Sequence, residues 1–133
     1  VHPRREVVNG AITLQEPAGI VHAGLQYFSD METLDLELKN ANETVLDKKI
    51  AVTSLTVLVE ESRGIFAGTD KAHLYENKFE RETYEQPIDL LTGRAEIPIS
   101  NKWEGNGRIF IRQADPLPLS VLAVIPEVTI GGR

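Results

Sequence analysis

The sequence contains no cysteine. Disulfide staples, thiolate zinc centres and cysteine nucleophiles are excluded by that alone. Aromatic residues are scarce, at 6% of the chain, with a single tryptophan. A stacking surface would have to be built on Trp103 with Tyr27, Tyr75 or Tyr84. No apolar run reaches the roughly 20 residues that a membrane-spanning helix needs. The opening VHPRREVV lacks the pattern of a secretory leader. With Val rather than Met at position 1, the chain reads as an excised fragment or a processed product, a single domain from a longer protein. Positive charge is also short: 14 bases face 20 acids, for a net charge of −6. That sign repels phosphate backbones and argues against a duplex-binding module, leaving room only for a local basic patch.

Familiar catalytic signatures are missing too. There is no Gly-x-Ser-x-Gly elbow, no phosphate-binding Gly-x-x-x-x-Gly-Lys loop and no calcium-binding loop. His2, His22 and His73 are far apart and show no metal-ligand spacing, so no metal or other cofactor is expected. His22 sits in an apolar alternating stretch, where a hydrogen-bonded structural role is the expected one. Asn42–Glu43–Thr44 matches a glycosylation acceptor, a tripeptide common by chance.

What is present is apolar content of 41%, enough for a globular core, written mostly with a period of two. In METLDLELK, Leu34, Leu36 and Leu38 alternate with polar residues, which predicts a strand with one apolar face. AVTSLTVLVEE (51–61) predicts a long strand, with Leu55, Val57 and Val59 on one face and Thr56, Leu58 and Glu60 on the other. The Ser62–Arg63–Gly64 turn should end it. GIFAGTD (64–70), RAEIPIS (94–100) and GRIFIRQ (107–113) read as further strands, with a tight turn at Asn106–Gly107. AITLQ (11–15) and GIVHAGL (19–25) read as strands either side of Glu16–Pro17. KNANETVLDKK (39–49) reads as a loop or hairpin tip, and the charged 73–87 as an excursion or ragged edge strand.

The most apolar run is near the end, in RIFIRQADPLPLSVLAVIPEV (108–128). Pro116 and Pro118 stand at its entrance and Pro126 at its exit. Between Leu119 and Ile125 both faces are apolar, which predicts a strand buried on both sides, under other chain or under another subunit. Some eight short strands and little helix make this an all-β chain, an antiparallel β-sandwich of jelly-roll type or a related barrel.

Candidate sites are few. Asp35 with Glu37, and Glu60 with Glu61, are paired carboxylates of the kind a glycoside hydrolase uses. They read better as solvated faces, and the chain is not expected to be an enzyme. Trp103, in the turn region NKWEGNG, can stack on a sugar or pin a loop to the sandwich; the second is the commoner use. Arg108, Phe110 and Arg112 alternate along one strand face. They can form a docking stripe for an acidic neighbour, or cross-strand ion pairs. These four residues are the candidate interaction surface, and in a chain this acidic the ion-pair reading is preferred for the arginines.

Three segments together resemble a known group: 21–38, 48–68 and 101–132. Gly24–Tyr27 followed by Glu32–Leu34, a long strand from Val52 to Gly64, Trp103 to Arg108, and Arg112 to Leu119 occur in an order similar to that of the C-terminal part of tail proteins from short-tailed bacteriophages. The relatives in question are tail tubular protein B, or nozzle proteins, and related tail hubs. The likeness spans most of the chain and is least at 1–10 and 69–93. It implies a structural virion protein of a homohexameric tail ring, through which genomic DNA passes as cargo. Adaptor and fibre or spike proteins would be its neighbours, and the virion tail its location. The alternative is a carbohydrate- or receptor-binding β-sandwich on a phage adhesion protein.

Overall fold

The computed structural model describes residues 1–36, 39–40, 43–44, 48–77, 89–100, 103 and 106–131. Among them the chain is all-β, with two principal antiparallel sheets and no helix. The strands are β1 (Ser29–Glu32), β2 (Lys39–Asn40), β3 (Glu43–Thr44), β4 (Ile50–Ser62), β5 (Ile65–Asp70), β6 (His73–Glu76), β7 (Leu91–Pro98), β8 (Phe110–Gln113) and β9 (Ser120–Ile130). One sheet has the order β1-β8-β5-β6 and the other β7-β4-β9, while β2 and β3 form a small hairpin.

β4 follows from its sequence. Leu55, Val57 and Val59 are buried, and Thr56 and Leu58 face outward, half-buried. Ala95 and Ile97 of β7 extend the same inner face. Opposite them lie Ile65 and Ala67 of β5, with Ile109 and Ile111 of the β8 segment, completing one apolar core. The pleat of β4 slips twice. Its register with β9 shifts between Val52 and Ser54, and its register with β7 shifts between Val59 and Ser62. At the second slip Glu61 takes φ +41°, and Ser62 turns inward. The buried Ser62 hydroxyl donates to the Glu60 carbonyl (2.6 Å) and accepts from the Ser120 N–H (2.7 Å). A buried hydroxyl is tolerated when its bonds are made in this way.

The chain crosses between the sheets at Arg63–Gly64 and again at 114–119. The two crossings touch. Arg63 donates its N–H to the Pro118 carbonyl (2.9 Å), and Leu117 lies over Gly64. The proline-rich entrance to the final strand is therefore a lid on the β4–β5 corner.

Several sequence expectations are corrected. The final strand is not buried on both faces. Among the described residues it pairs with β4 alone and is an edge strand, with Leu122 60% exposed and Ile125 56%. Apolar composition says that a strand has an apolar environment within reach, not that a second neighbour has been supplied. Pro126 lies within β9 rather than at its exit, opposite Leu55, and an edge strand accommodates a residue that cannot donate.

AITLQ and GIVHAGL form no strands; within 1–28 the pairing is a single bridge, Val8–Ala11. In METLDLELK the strand lies earlier than the leucine pattern implies, at Ser29–Glu32. Leu34 is 88% exposed and Leu36 half-buried, while Leu38 lies outside the described residues. The pairing is set by the ladder that β8 offers, from Ser29↔Gln113 to Glu32↔Phe110. β7 and β8 belong to different sheets, so Asn106–Gly107 is a bend in a crossing and not the tip of a hairpin between them. Gly107 takes φ +73°, and a Cβ there would meet Leu36 Cβ at 2.9 Å, so the bend requires glycine. Lys39–Thr44 does form a hairpin ladder, and β6 is the edge strand of its sheet.

Candidate interaction surface

The outer face of the four-stranded sheet carries the arginine stripe. Asp30 of β1 stands opposite Arg112 of β8, which stands opposite Phe66 of β5. In the next row on that face, Glu32 stands opposite Phe110 and Phe110 opposite Gly68. Strand alternation puts Arg112 and Phe110 on the same side. Gly68 has no side chain, and the Phe110 ring is nevertheless buried, at 2% exposure.

Cations cover that ring. The Arg112 guanidinium and the Lys71 ammonium each lie 5.5 Å from the Phe110 centroid, and Arg112 also lies 4.7 Å from the ring of Phe28. Arg112 is held flat by Asp30, through Nε to Oδ1 (2.7 Å) and Nη2 to Oδ2 (2.9 Å). This is the fork-to-fork pairing that a guanidinium and a carboxylate favour. Arg108 bonds the carboxylate of Asp35 and lies 3.7 Å from that of Glu32. Asn106 donates to the other oxygen of Asp35 (3.1 Å). Arg112 thus makes a cross-strand ion pair within its own chain, and Arg108 makes an ion pair just beyond the end of the β1–β8 ladder.

These pairs fasten the start of the ordered sandwich. Thr33 and Ile109 continue the β1–β8 ladder, because the Thr33 N–H reaches the Ile109 carbonyl (2.9 Å) and the Ile109 N–H reaches Thr33 Oγ1 (3.0 Å). Sequence reasoning found the arginines and missed Asp30, Phe28 and Lys71. The available signal was the set of acids at 30, 32 and 35, opposite in sign to the stripe. Of the carboxylate pairs weighed above, Asp35 is engaged by Arg108, Glu60 and Glu61 are exposed, and Glu37 lies outside the described residues.

Charge on the stripe is coupled to pH. The hydrogen bonds from Arg112 hold the Asp30 carboxyl below its ordinary range, aided by the positive charges of Arg112 and Lys71. Arg108, then Asn106, do the same for Asp35. Asp70 is lowered by His73 first, and by the N–H groups of Ala72 and His73. Each carboxylate stays charged in the folded chain at a pH where the unfolded chain is already taking up protons. Its stabilisation is therefore present above about pH 4 and is lost as pH falls through the lowered folded value. Urea midpoints measured down through this range should decline for the wild type. In Asp30→Asn the midpoint should be lower at neutral pH and the acid decline shallower; an unchanged acid slope would show that the Asp30 pair does not form.

Trp103 is 44% exposed, and its ring lies against Gly131, whose N–H donates to the Lys49 carbonyl (2.9 Å). It therefore covers the end of β9 and still presents part of its ring to solvent. Tyr75 packs on the core, Tyr27 is exposed, and Tyr84 and Asn42 lie outside the described residues. His22 is exposed and outside any strand. Among the described residues no three His, Asp or Glu side chains gather as metal ligands. Among the described residues no helix is long and apolar enough to cross a membrane. No protein-family model matches the chain, and no curated protein matches it.

Proposed function

We propose that this chain is a structural module of a short-tailed phage tail, part of a nozzle or hub ring that encloses the DNA-ejection conduit and docks adjoining tail proteins. The observation that carries the reading is the outer edge of β9, an 11-residue edge strand among the described residues that leaves Leu122 and Ile125 exposed. An exposed apolar edge is costly for an isolated chain and ordinary for a subunit. The ordered likeness of 21–38, 48–68 and 101–132 to nozzle and hub proteins supplies the setting. The net charge of −6 suits a wall past which DNA must slide without sticking.

Antibodies raised against residues 1–133 and imaged by electron microscopy on virions carrying the gene test this reading. Label confined to the tail is expected, and its distance from the capsid separates nozzle from adaptor. Label at the tips of projecting fibres would favour receptor binding instead. Virions without label, when opened particles expose the antigen, would overturn the proposal.

A further inference from the structure

Residues 1–28 hold large apolar side chains that stand in solvent. Ile20 is 83% exposed and Leu25 94%, and Val21 and Tyr27 are exposed as well. The alternation in 19–25 that predicts a strand is real in the sequence, yet the segment pairs with no strand. A half-apolar extended segment gains little in water alone and much when it is added to an existing sheet. The same chain presents such a sheet edge. Among the described residues no strand pairs with the outer side of β9.

Charge favours the meeting. Residues 1–28 contain two arginines and two glutamates, so the net charge of −6 lies wholly in 29–133. A neutral arm approaches another acidic sandwich without the repulsion that two sandwich faces would feel. Pro126 and the register shift opposite Leu58–Val59 blunt β9 against unselective pairing. Leu122 and Ile125 remain as apolar contacts for a partner of matching pattern.

We infer that copies of this chain associate by arm exchange: residues 20–27 of one copy lie along the outer edge of β9 in the next, with Val21, Leu25 and Tyr27 against Leu122 and Ile125. The contact joins one surface to a different one, so it builds a reciprocally exchanged pair, a ring or a chain of subunits. The inference concerns self-association and does not rest on the tail reading.

Sedimentation of the full chain over a concentration series tests it. The wild type should exceed the mass of one chain as concentration rises. Leu25→Asp, in the arm, and Ile125→Lys, on the edge, should each remain monomeric with unchanged far-ultraviolet dichroism. Mixing the two variants leaves one good arm and one good edge, and should restore a particle of two chains. If either variant loses its fold, Tyr27→Asp and Leu122→Lys replace them in the same mixing test. A wild type that stays monomeric throughout overturns the inference, as does a mixture that stays monomeric. Association that survives Leu25→Asp also overturns it, because edges pairing directly would not need the arm.

Discussion

Replacing Gly68 by alanine should cost about 3 kcal/mol and lower Tm by more than about 10 °C. Gly68 lies where the β5–β6 hairpin changes register, between the pairs Gly68↔Leu74 and Asp70↔His73. A Cβ at 68 would fall on the carbonyl oxygen of His73 and stand 2.9 Å from its carbonyl carbon. Both atoms are backbone, so no rotamer change relieves the clash. The hairpin end cannot simply move away, because Asp70 Oδ1 accepts the N–H groups of Ala72 (2.7 Å) and His73 (2.9 Å). The methyl therefore separates β5 from β6 or breaks that turn. Gly24→Ala is the control. Nothing lies within 4 Å of its added carbon, and the change should stay within about 0.5 kcal/mol. Chemical denaturation of the two variants decides the matter, and a Gly68→Ala protein as stable as wild type would show that the hairpin register is wrong.

Leu55→Ala should destabilise by about 2–5 kcal/mol, the range for emptying a packed core site. Leu55 is fully buried, pairs with Ile97 in β7 and Pro126 in β9, and belongs to the shared core of the two sheets. The comparison that gives this meaning lies on the same strand. Leu58 has the same side chain but faces outward opposite Ala123, half-buried, and Leu58→Ala should cost distinctly less. Leu122→Ala, on the exposed edge, should change stability by no more than about 0.5 kcal/mol. Equal losses at 55 and 58 would mean that both faces of β4 are covered, and the solvent-facing side of the β7-β4-β9 sheet would then have to be abandoned.

These contrasts also show how much could be read from the sequence. β4 was legible because Leu55, Val57 and Val59 recur with the period of a pleated strand and are β-branched or bulky. β9 was legible as a strand but not as an edge, since an apolar residue does not state which neighbour buries it. The segment 11–25 carries a strand pattern without a strand, because pairing is a property of two segments and pattern is a property of one. At the candidate surface the arginine stripe was visible, whereas its partner was not. Asp30 and Arg112 are 82 residues apart, and only the β1–β8 register joins them. The inward turn of Ser62 was equally hidden, since it depends on a one-residue slip at Glu60–Glu61.

The strand order β7-β4-β9 also governs how the sandwich is assembled in time. β4, which supplies Leu55, Val57 and Val59 to the core, finds both of its neighbours later in the chain, β7 from residue 91 and β9 from residue 120. β1 likewise waits for β8, whose first residue is 110. Among the described strands, apart from the small β2–β3 hairpin, only β5 and β6 close locally. Folding must therefore bring distant segments together before most of the buried apolar surface repays the lost chain entropy, which makes the process slow by the standards of small domains. During synthesis β4 emerges as an unpaired apolar ribbon and stays so until the later strands have left the ribosome. During that interval the chain is exposed to aggregation.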